Sequence, residues 1–117
     1  MKLSLLVIRT QNPEALKSQY EYLGMTFEYH KHDKGPYHYA CETKGFVFEI
    51  YPLPKSMTTA DASLRLGFDI HNLSQTLEKL KNSNWIIQSE VKETPWGRTA
   101  IVQDLDGRKV ELKDTVS

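Results

Sequence analysis

The sequence has one cysteine, no net charge and no long apolar run, and each absence excludes a class of protein. A lone cysteine, Cys41, cannot form an intramolecular disulfide, which argues against a disulfide-stabilised secreted domain. The 15 Lys and Arg residues are balanced by 15 Asp and Glu residues, whereas nucleic-acid-binding proteins usually carry a clustered basic excess. No apolar stretch approaches the roughly 20 residues that a membrane helix needs. We therefore expect a cytoplasmic protein that binds neither nucleic acid nor a membrane.

Residues 3–51 predict a strand, a helix and three further strands. Residues 3–9 are almost continuously apolar, as in a strand buried on both faces. A helix follows, because Asn12 is a typical N-cap and Gly24 is typical of a helix end. Residues 25–31 alternate between apolar and polar side chains and predict the second strand, and two more strands follow after turn residues.

The same order of elements returns after a short linker. Residues 54–62, which are rich in proline and small polar residues, separate a first module, residues 1–53, from a second, residues 63–117. The second module starts with an apolar strand, continues with a helix capped by Asn72 and ends with three strands. We therefore predict a single domain, residues 1–117, built from an internal repeat of about 60 residues.

Each module carries a glutamate at the same point of its last predicted strand. A glycine precedes the glutamate by four residues in both: Gly45 before Glu49, and Gly107 before Glu111. Alternate side chains of a strand share a face, and the residues flanking each glutamate are mostly apolar and should face the helix. We therefore expect both glutamates on the helix-free faces of the sheets, with Tyr51 on the same face as Glu49.

The order of elements, the opening stretch LLVIRTQNPEALKSQYEYLGM and the closing stretch ETPWGRTAIVQDLDGRKVEL together resemble the vicinal oxygen chelate superfamily. That superfamily includes glyoxalase I, bleomycin resistance proteins and extradiol dioxygenases. The resemblance covers nearly the whole chain, although Leu105 stands where the family usually has proline. It implies an α+β fold in which two βαβββ modules form a curved mixed sheet around a cavity. It also implies a small organic ligand and a homodimer.

The resemblance further implies a place for a divalent metal, but only half of the ligand set is present. Metal-dependent members bind the ion through the first and last strand of each module. Glu49 and Glu111 match the last-strand positions, which makes them the candidate catalytic residues and, if a metal binds, its ligands. The first strands offer Leu5, which cannot bind a metal, and Arg65, which repels one. The sequence therefore predicts no cofactor, with a divalent metal as the alternative.

Arg65 has two alternative roles in the predicted cavity. Its guanidinium group can replace the charge of the metal and bridge the two glutamates, or it can reach outward and bind an anionic ligand. Aromatic residues with polar tips are predicted to complete the ligand-binding wall. These residues are Tyr51, Tyr39, Tyr37 and Trp96.

Three histidines provide a separate candidate for a metal site. His30 and His32 are two residues apart on a predicted strand, and in one register His38 lies opposite His32. Neutral imidazoles suit Zn²⁺ or Ni²⁺. However, a hairpin tip is normally solvated, and the neighbouring Lys31 and Lys34 repel a cation. The simpler interpretation is that these histidines are surface residues.

The sequence supports one leading function and two alternatives. The leading prediction is metal-independent binding of a small organic molecule, as in bleomycin resistance proteins, because the first-strand histidines are missing. The alternative is a metal-dependent glyoxalase-like lyase or isomerase, or a dioxygenase, with a modified metal site. The second alternative is a non-catalytic association domain with a closed cavity.

Overall fold

The computed structural model describes residues 1–115, which form two compact units, one ending at Asp61 and one beginning at Ala62. The first unit contains β1 Leu5–Thr10, α1 Pro13–Glu21, β2 Glu28–His30, β3 His38–Thr43 and β4 Phe46–Pro52. The second contains β5 Leu66–Ile70, α2 Leu73–Lys81, β6 Ile86–Thr94, β7 Gly97–Gln103 and β8 Lys109–Asp114. The predicted α+β class and the βαβββ order of both modules are confirmed. Neither helix in the described part of the chain is long and apolar enough to cross a membrane.

The strands of each unit form one four-stranded mixed sheet, and the two sheets have the same topology. In the first sheet the strand order is β1-β4-β3-β2, with β1 parallel to β4 and the other neighbours antiparallel. In the second sheet the order is β5-β8-β7-β6, with β5 parallel to β8. The last strand of each unit is therefore an inner strand, and a side chain at its middle has neighbours on both sides.

One face of the first sheet is covered by α1. Asn12 begins this helix, since its side-chain oxygen accepts a hydrogen bond of 3.1 Å from the backbone N–H of Ala15. Leu16 and Tyr20 are completely buried on the sheet side of the helix. The ring of Tyr20 meets that of Phe48 in β4 in an edge-on contact, with centroids 5.2 Å apart. Phe48 and Ile50, the apolar residues that flank Glu49 in β4, are thus buried on the helix side, as the alternation predicts.

Two boundaries in the first unit differ from the predicted ones. The helix α1 ends at Glu21, and Gly24, with a φ of +99°, closes the turn that follows rather than the helix itself. The second strand, predicted over residues 25–31, is formed only by Glu28–His30. This strand is short because it pairs with β3 on one side only and at three positions. The loop between β2 and β3 is correspondingly longer.

The helix α2 covers one face of the second sheet in the same way. The side-chain oxygen of Asn72 accepts a hydrogen bond of 3.3 Å from the backbone N–H of Gln75 and so begins the helix. Val110 and Leu112 of β8 are completely buried on the face toward this helix. The buried residues of α2 are Leu73, Leu77 and Leu80. Both units therefore bury one face of their sheet under a helix.

Candidate functional site

The helix-free face of the first sheet brings charged and aromatic side chains together. His30 lies directly opposite His38 in the pairing of β2 with β3. The register of β3 with β4 puts His38 on the same face as Glu49 and Tyr51, and Arg9 of β1 pairs with Tyr51. We refer to these five residues as the polar face of the first sheet. Glu49 and Tyr51 thus share a face, as predicted.

Glu49 and His38 form a close pair on this face. The Oε2 atom of Glu49 lies 3.3 Å from Nε2 of His38, and the two side chains are 17% and 4% exposed, respectively. The other ring nitrogen of His38, Nδ1, is buried and has no hydrogen-bond partner among residues 1–115. An unpaired buried polar group costs about 1–3 kcal/mol, so a ligand atom at Nδ1 would be stabilising.

Tyr51 contacts both a cation and an imidazole. Its ring stacks on that of His38, with centroids 4.2 Å apart and planes inclined by 4°. The guanidinium carbon of Arg9 lies 5.0 Å from the centre of the same ring, within the range of a cation–π contact. Arg9 is held there by a hydrogen bond of 3.2 Å from Nη1 to the carbonyl oxygen of Pro52. The stack fixes the planes of these groups in a partly buried position.

The three histidines of the first unit form a cluster. Each offers a ring nitrogen within 4.8 Å of the other two, and His38 is buried while His30 is half-buried and His32 is exposed. The ring centroids are 5.3–6.0 Å apart. In the register that forms, His38 lies opposite His30 and not His32, because β2 ends at His30 and His32 belongs to the following loop. The expectation of a solvated hairpin tip is therefore wrong for His38.

Glu111 has the position in the second unit that Glu49 has in the first. It lies in β8 between Gly67 of β5 and Ile101 of β7, on the face opposite to Val110 and Leu112. Its side chain is half-buried. The predicted helix-free placement of both glutamates is thus confirmed, while their catalytic roles and their service as metal ligands remain predictions.

Arg65 does not lie in the first strand of the second unit. The strand β5 begins at Leu66, and Arg65 is exposed just before it. Within the part of the chain that the structure describes, no ion pair joins Arg65 to Glu111. The Arg65–Glu111 half of the predicted bridge between the two glutamates is therefore not formed. Its contact with an anionic ligand remains a prediction.

Trp96 lies in the turn between β6 and β7 and is 65% exposed. It borders an open groove of about 630 Å³, whose wall also includes Arg98 and Asp114. The charges of these two residues are paired with each other, since Arg98 Nη1 lies 3.1 Å from Asp114 Oδ2. Trp96 is thus accessible to a ligand, and its role in ligand binding remains a prediction.

Tyr39 and Tyr37 are separated from Tyr51 by the sheet. Tyr39 pairs with Ile50 on the face that α1 covers, and Lys17 of that helix places its Nζ 5.2 Å from the Tyr39 ring centre. Partial burial and the nearby carboxylate of Glu14 raise the pKa of Tyr39. The rings of Tyr29, Tyr37 and Tyr39 contact one another. The prediction that Tyr39 and Tyr37 share a wall with Tyr51 is therefore wrong.

No protein-family model and no curated protein matches the sequence. Solved structures do match. A glyoxalase/bleomycin resistance protein/dioxygenase family enzyme from Burkholderia phytofirmans PsJN is 15% identical with a TM-score of 0.75, over 99% of this chain and 100% of that chain. TnmS3, an antibiotic binding protein from Streptomyces sp. CB03234, is 21% identical with a TM-score of 0.74, over 99% of this chain and 97% of that chain.

A glyoxalase I mutant from Zea mays has a TM-score of 0.81 at 17% identity, over 99% of this chain but 45% of that chain. The present chain therefore spans about half of that longer protein. At these identities the matches establish the fold. The chain has the glyoxalase/bleomycin resistance/dioxygenase fold, and the resemblance that the sequence suggests is confirmed at that level.

Proposed function

We propose that the protein binds a small organic molecule on the polar face of the first sheet. The observation that carries this proposal is the partly buried set formed by Arg9, Tyr51, His38 and Glu49. Small-molecule sites typically combine aromatic surface with a few fixed polar groups. Here the aromatic surface is a stacked tyrosine and imidazole, and the polar groups are a guanidinium and a carboxylate. An antibiotic binding protein with the same fold is consistent with such a role.

The chemistry of this face favours a flat ligand that carries an acidic group. Tyr51 and His38 present parallel planar rings, which suit stacking or edge contacts with an aromatic ligand. The guanidinium of Arg9 attracts a carboxylate or phenolate, while Glu49 accepts a hydrogen bond. We therefore infer that aromatic acids and acidic phenols are the class of compound to test first. These contacts with the ligand do not require a metal.

The test is a thermal-shift screen with benzoate, salicylate, indole-3-acetate and 4-nitrophenol, followed by calorimetric titration of the strongest hit. We expect at least one probe to raise the melting temperature. Tyr51→Leu should weaken its affinity at least tenfold, which corresponds to about 1.4 kcal/mol. Tyr29→Leu is the matched control, because Tyr29 is 58% exposed and lies opposite Tyr39 on the other face. Absence of any hit, or equal losses in the two variants, would contradict the proposal.

The Glu49 and His38 pair favours a second candidate, a metal-independent lyase or isomerase that moves a proton next to a carbonyl group. A carboxylate 3.3 Å from an imidazole is an arrangement that general acid–base catalysis uses. If this chemistry occurs, the protein should exchange a C–H proton of a bound carbonyl compound with deuterium in D₂O, as observed by NMR. Glu49→Gln should abolish the exchange and Glu111→Gln should not. Exchange at the same rate with and without protein would exclude this candidate.

One quantity, the mass of the particle in solution, tests both the predicted homodimer and the alternative of an association domain. Light scattering after size-exclusion chromatography gives the mass of the particle directly. A mass of twice the 13.5 kDa chain would support the homodimer. A dimer that binds none of the organic probes would instead favour the association role.

A further inference from the structure

We propose that His30, His32 and His38 form a binding site for a transition-metal ion of the Zn²⁺ or Ni²⁺ type. Each residue offers a ring nitrogen within 4.8 Å of the other two. Around a tetrahedral zinc ion, with Zn–N bonds of about 2.0–2.1 Å, ligand nitrogens lie roughly 3.3 Å apart. The nitrogens must therefore approach one another by up to roughly 1.5 Å, and His32, which is exposed in a loop, has the most freedom to move. This proposal does not depend on the proposed organic ligand.

Two of the three imidazoles have a carboxylate beside one of their ring nitrogens, Nε2. His38 Nε2 lies 3.3 Å from Glu49 Oε2, and His30 Nε2 lies 3.3 Å from Glu28 Oε2. A metal-binding histidine usually donates its second N–H to a carboxylate or carbonyl, which fixes its tautomer and orientation. With Nε2 donating in this way, Nδ1 of each ring is the nitrogen that binds the metal. Glu49 is then a positioning residue rather than a ligand.

The unpaired nitrogen of His38 is the second observation that indicates a ligand. His38 is 3% exposed, and its Nδ1 is buried without a hydrogen-bond partner among the described residues. Such a buried, unpaired polar atom is uncommon in a folded protein. Stacking on Tyr51 holds the ring in place, so the nitrogen is presented in a fixed direction. A metal ion bound at Nδ1 would give this atom a partner, which no side chain of the cluster provides.

Carboxylates contact the imidazoles of the cluster directly, whereas the guanidinium of Arg9 lies against the Tyr51 ring, 5.0 Å from its centre. Lys31 and Lys34 are exposed, and solvent and salt screen exposed charges strongly. The carboxylates of Glu28 and Glu49 are in contact with the imidazoles themselves. Glu49, whose side chain is 17% exposed, is therefore screened less than the two lysines, whereas Glu28 is 81% exposed and is screened as they are. Three imidazoles also leave the fourth tetrahedral position open for water or another ligand.

The test is calorimetric titration of the untagged chain with ZnCl₂ and with NiCl₂, and metal analysis after desalting. We expect about one equivalent of Zn²⁺ per chain. His32→Ala should weaken binding at least tenfold, and it should fold normally because His32 is exposed in a loop. The matched control is His71→Ala, an exposed histidine of the second unit, which should leave the affinity unchanged. Absence of zinc binding by the parent, or parental affinity in His32→Ala, would overturn the proposal.

Two further measurements separate this site from one built on the glutamates. Glu49→Gln should weaken zinc binding by about 10–100-fold through His38, whereas Glu111→Gln should have no effect. If both substitutions abolish binding and His32→Ala does not, the histidine site is excluded. Long-range ¹⁵N NMR of the parent protein needs no variant. Zinc should shift the Nδ1 resonances of His30 and His38, and a shift of Nε2 alone would contradict the assignment.

Discussion

The two units share one topology but differ in what their helix-free faces carry. In the first unit this face holds a chain of contacts from Arg9 to Tyr51, from Tyr51 to His38 and from His38 to Glu49. In the second unit the strands β6, β7 and β8 contain no histidine and no aromatic residue, and Glu111 is flanked across the sheet by glycine and isoleucine. Both units thus place a glutamate at the same point of the sheet, but Glu49 has a neighbouring histidine and tyrosine in its unit, whereas Glu111 has glycine and isoleucine as its cross-strand neighbours. The chemistry depends on the side chains and not on the fold itself.

The units also differ in the turn that leads into the last strand. In the first unit Lys44 and Gly45 form a two-residue turn in which both have positive φ angles, 48° and 78°. In the second unit the turn from Asp104 to Arg108 is internally bonded. The buried Arg108 guanidinium lies 3.2 Å from Asp104 and 2.9 Å from Asp106. The second turn therefore depends on a buried charge network, whereas the first depends on backbone conformation.

Removal of Arg108 should have the largest effect. Arg108→Ala leaves the carboxylate of Asp104, which is 2% exposed, without its buried partner. Breaking a buried ion pair typically costs about 3–5 kcal/mol of unfolding free energy. The measurement is urea denaturation followed by tryptophan fluorescence, in which Trp85, 4% exposed in the second unit, reports the loss of its buried environment.

The equivalent turn of the first unit provides the control for this experiment. Lys44 is exposed, and Lys44→Ala keeps a β-carbon at the same backbone position. We expect its unfolding free energy to stay within about 0.5 kcal/mol of the parent. If Arg108→Ala is as stable as Lys44→Ala, the buried network does not anchor the second turn.

Substitutions at the two helix N-caps should give the next largest difference in unfolding free energy between the units. Asn12 and Asn72 both accept a hydrogen bond from the helix backbone, but Asn72 also has a φ of +60°. Asn12→Ala loses only the cap, at a cost of about 1 kcal/mol. Asn72→Ala should cost about 2 kcal/mol, because alanine adopts the left-handed region less readily than asparagine. Urea denaturation of the two variants measures this difference.

Glycine at the same position separates the two contributions. Asn72→Gly removes the capping side chain but accepts a positive φ without strain. It should therefore be more stable than Asn72→Ala, with a loss of only a few tenths of a kcal/mol. Equal unfolding free energies for the alanine variants at Asn12 and Asn72 would show that the positive φ of Asn72 carries no cost.

The order of elements was predictable because its determinants are local. Apolar runs, N-capping asparagines and turn glycines lie next to the elements that they define, so both βαβββ modules could be identified from the sequence. The length of β2 could not be predicted, since it depends on how many residues find a partner in β3. The face of Glu49 and Glu111 followed from simple alternation along a strand.

The composition of the site was harder to predict because it depends on register. The two-residue turn at Lys44 and Gly45 pairs the residues on either side of it, and counting outward from that turn places Tyr39 opposite Ile50. Counted in this way, Tyr39 is expected on the helix side of the sheet, and His38 is expected on the same side as Glu49. The position of His32 close to His30 and His38 was not predictable, because His32 lies in a loop whose direction no periodicity defines.

The smallest effect should come from relieving the strained turn of the first unit. Lys44 adopts a φ of +48° next to Gly45, in a two-residue hairpin turn for which Asn-Gly is preferred. Lys44→Asn should therefore raise the unfolding free energy by about 0.5–1 kcal/mol, since asparagine enters the left-handed region more readily than lysine. Lys55→Asn, at an exposed residue without a positive φ, is the control and should change stability by less than about 0.5 kcal/mol. A gain in both variants would mean that the removed charge, and not the turn, is responsible.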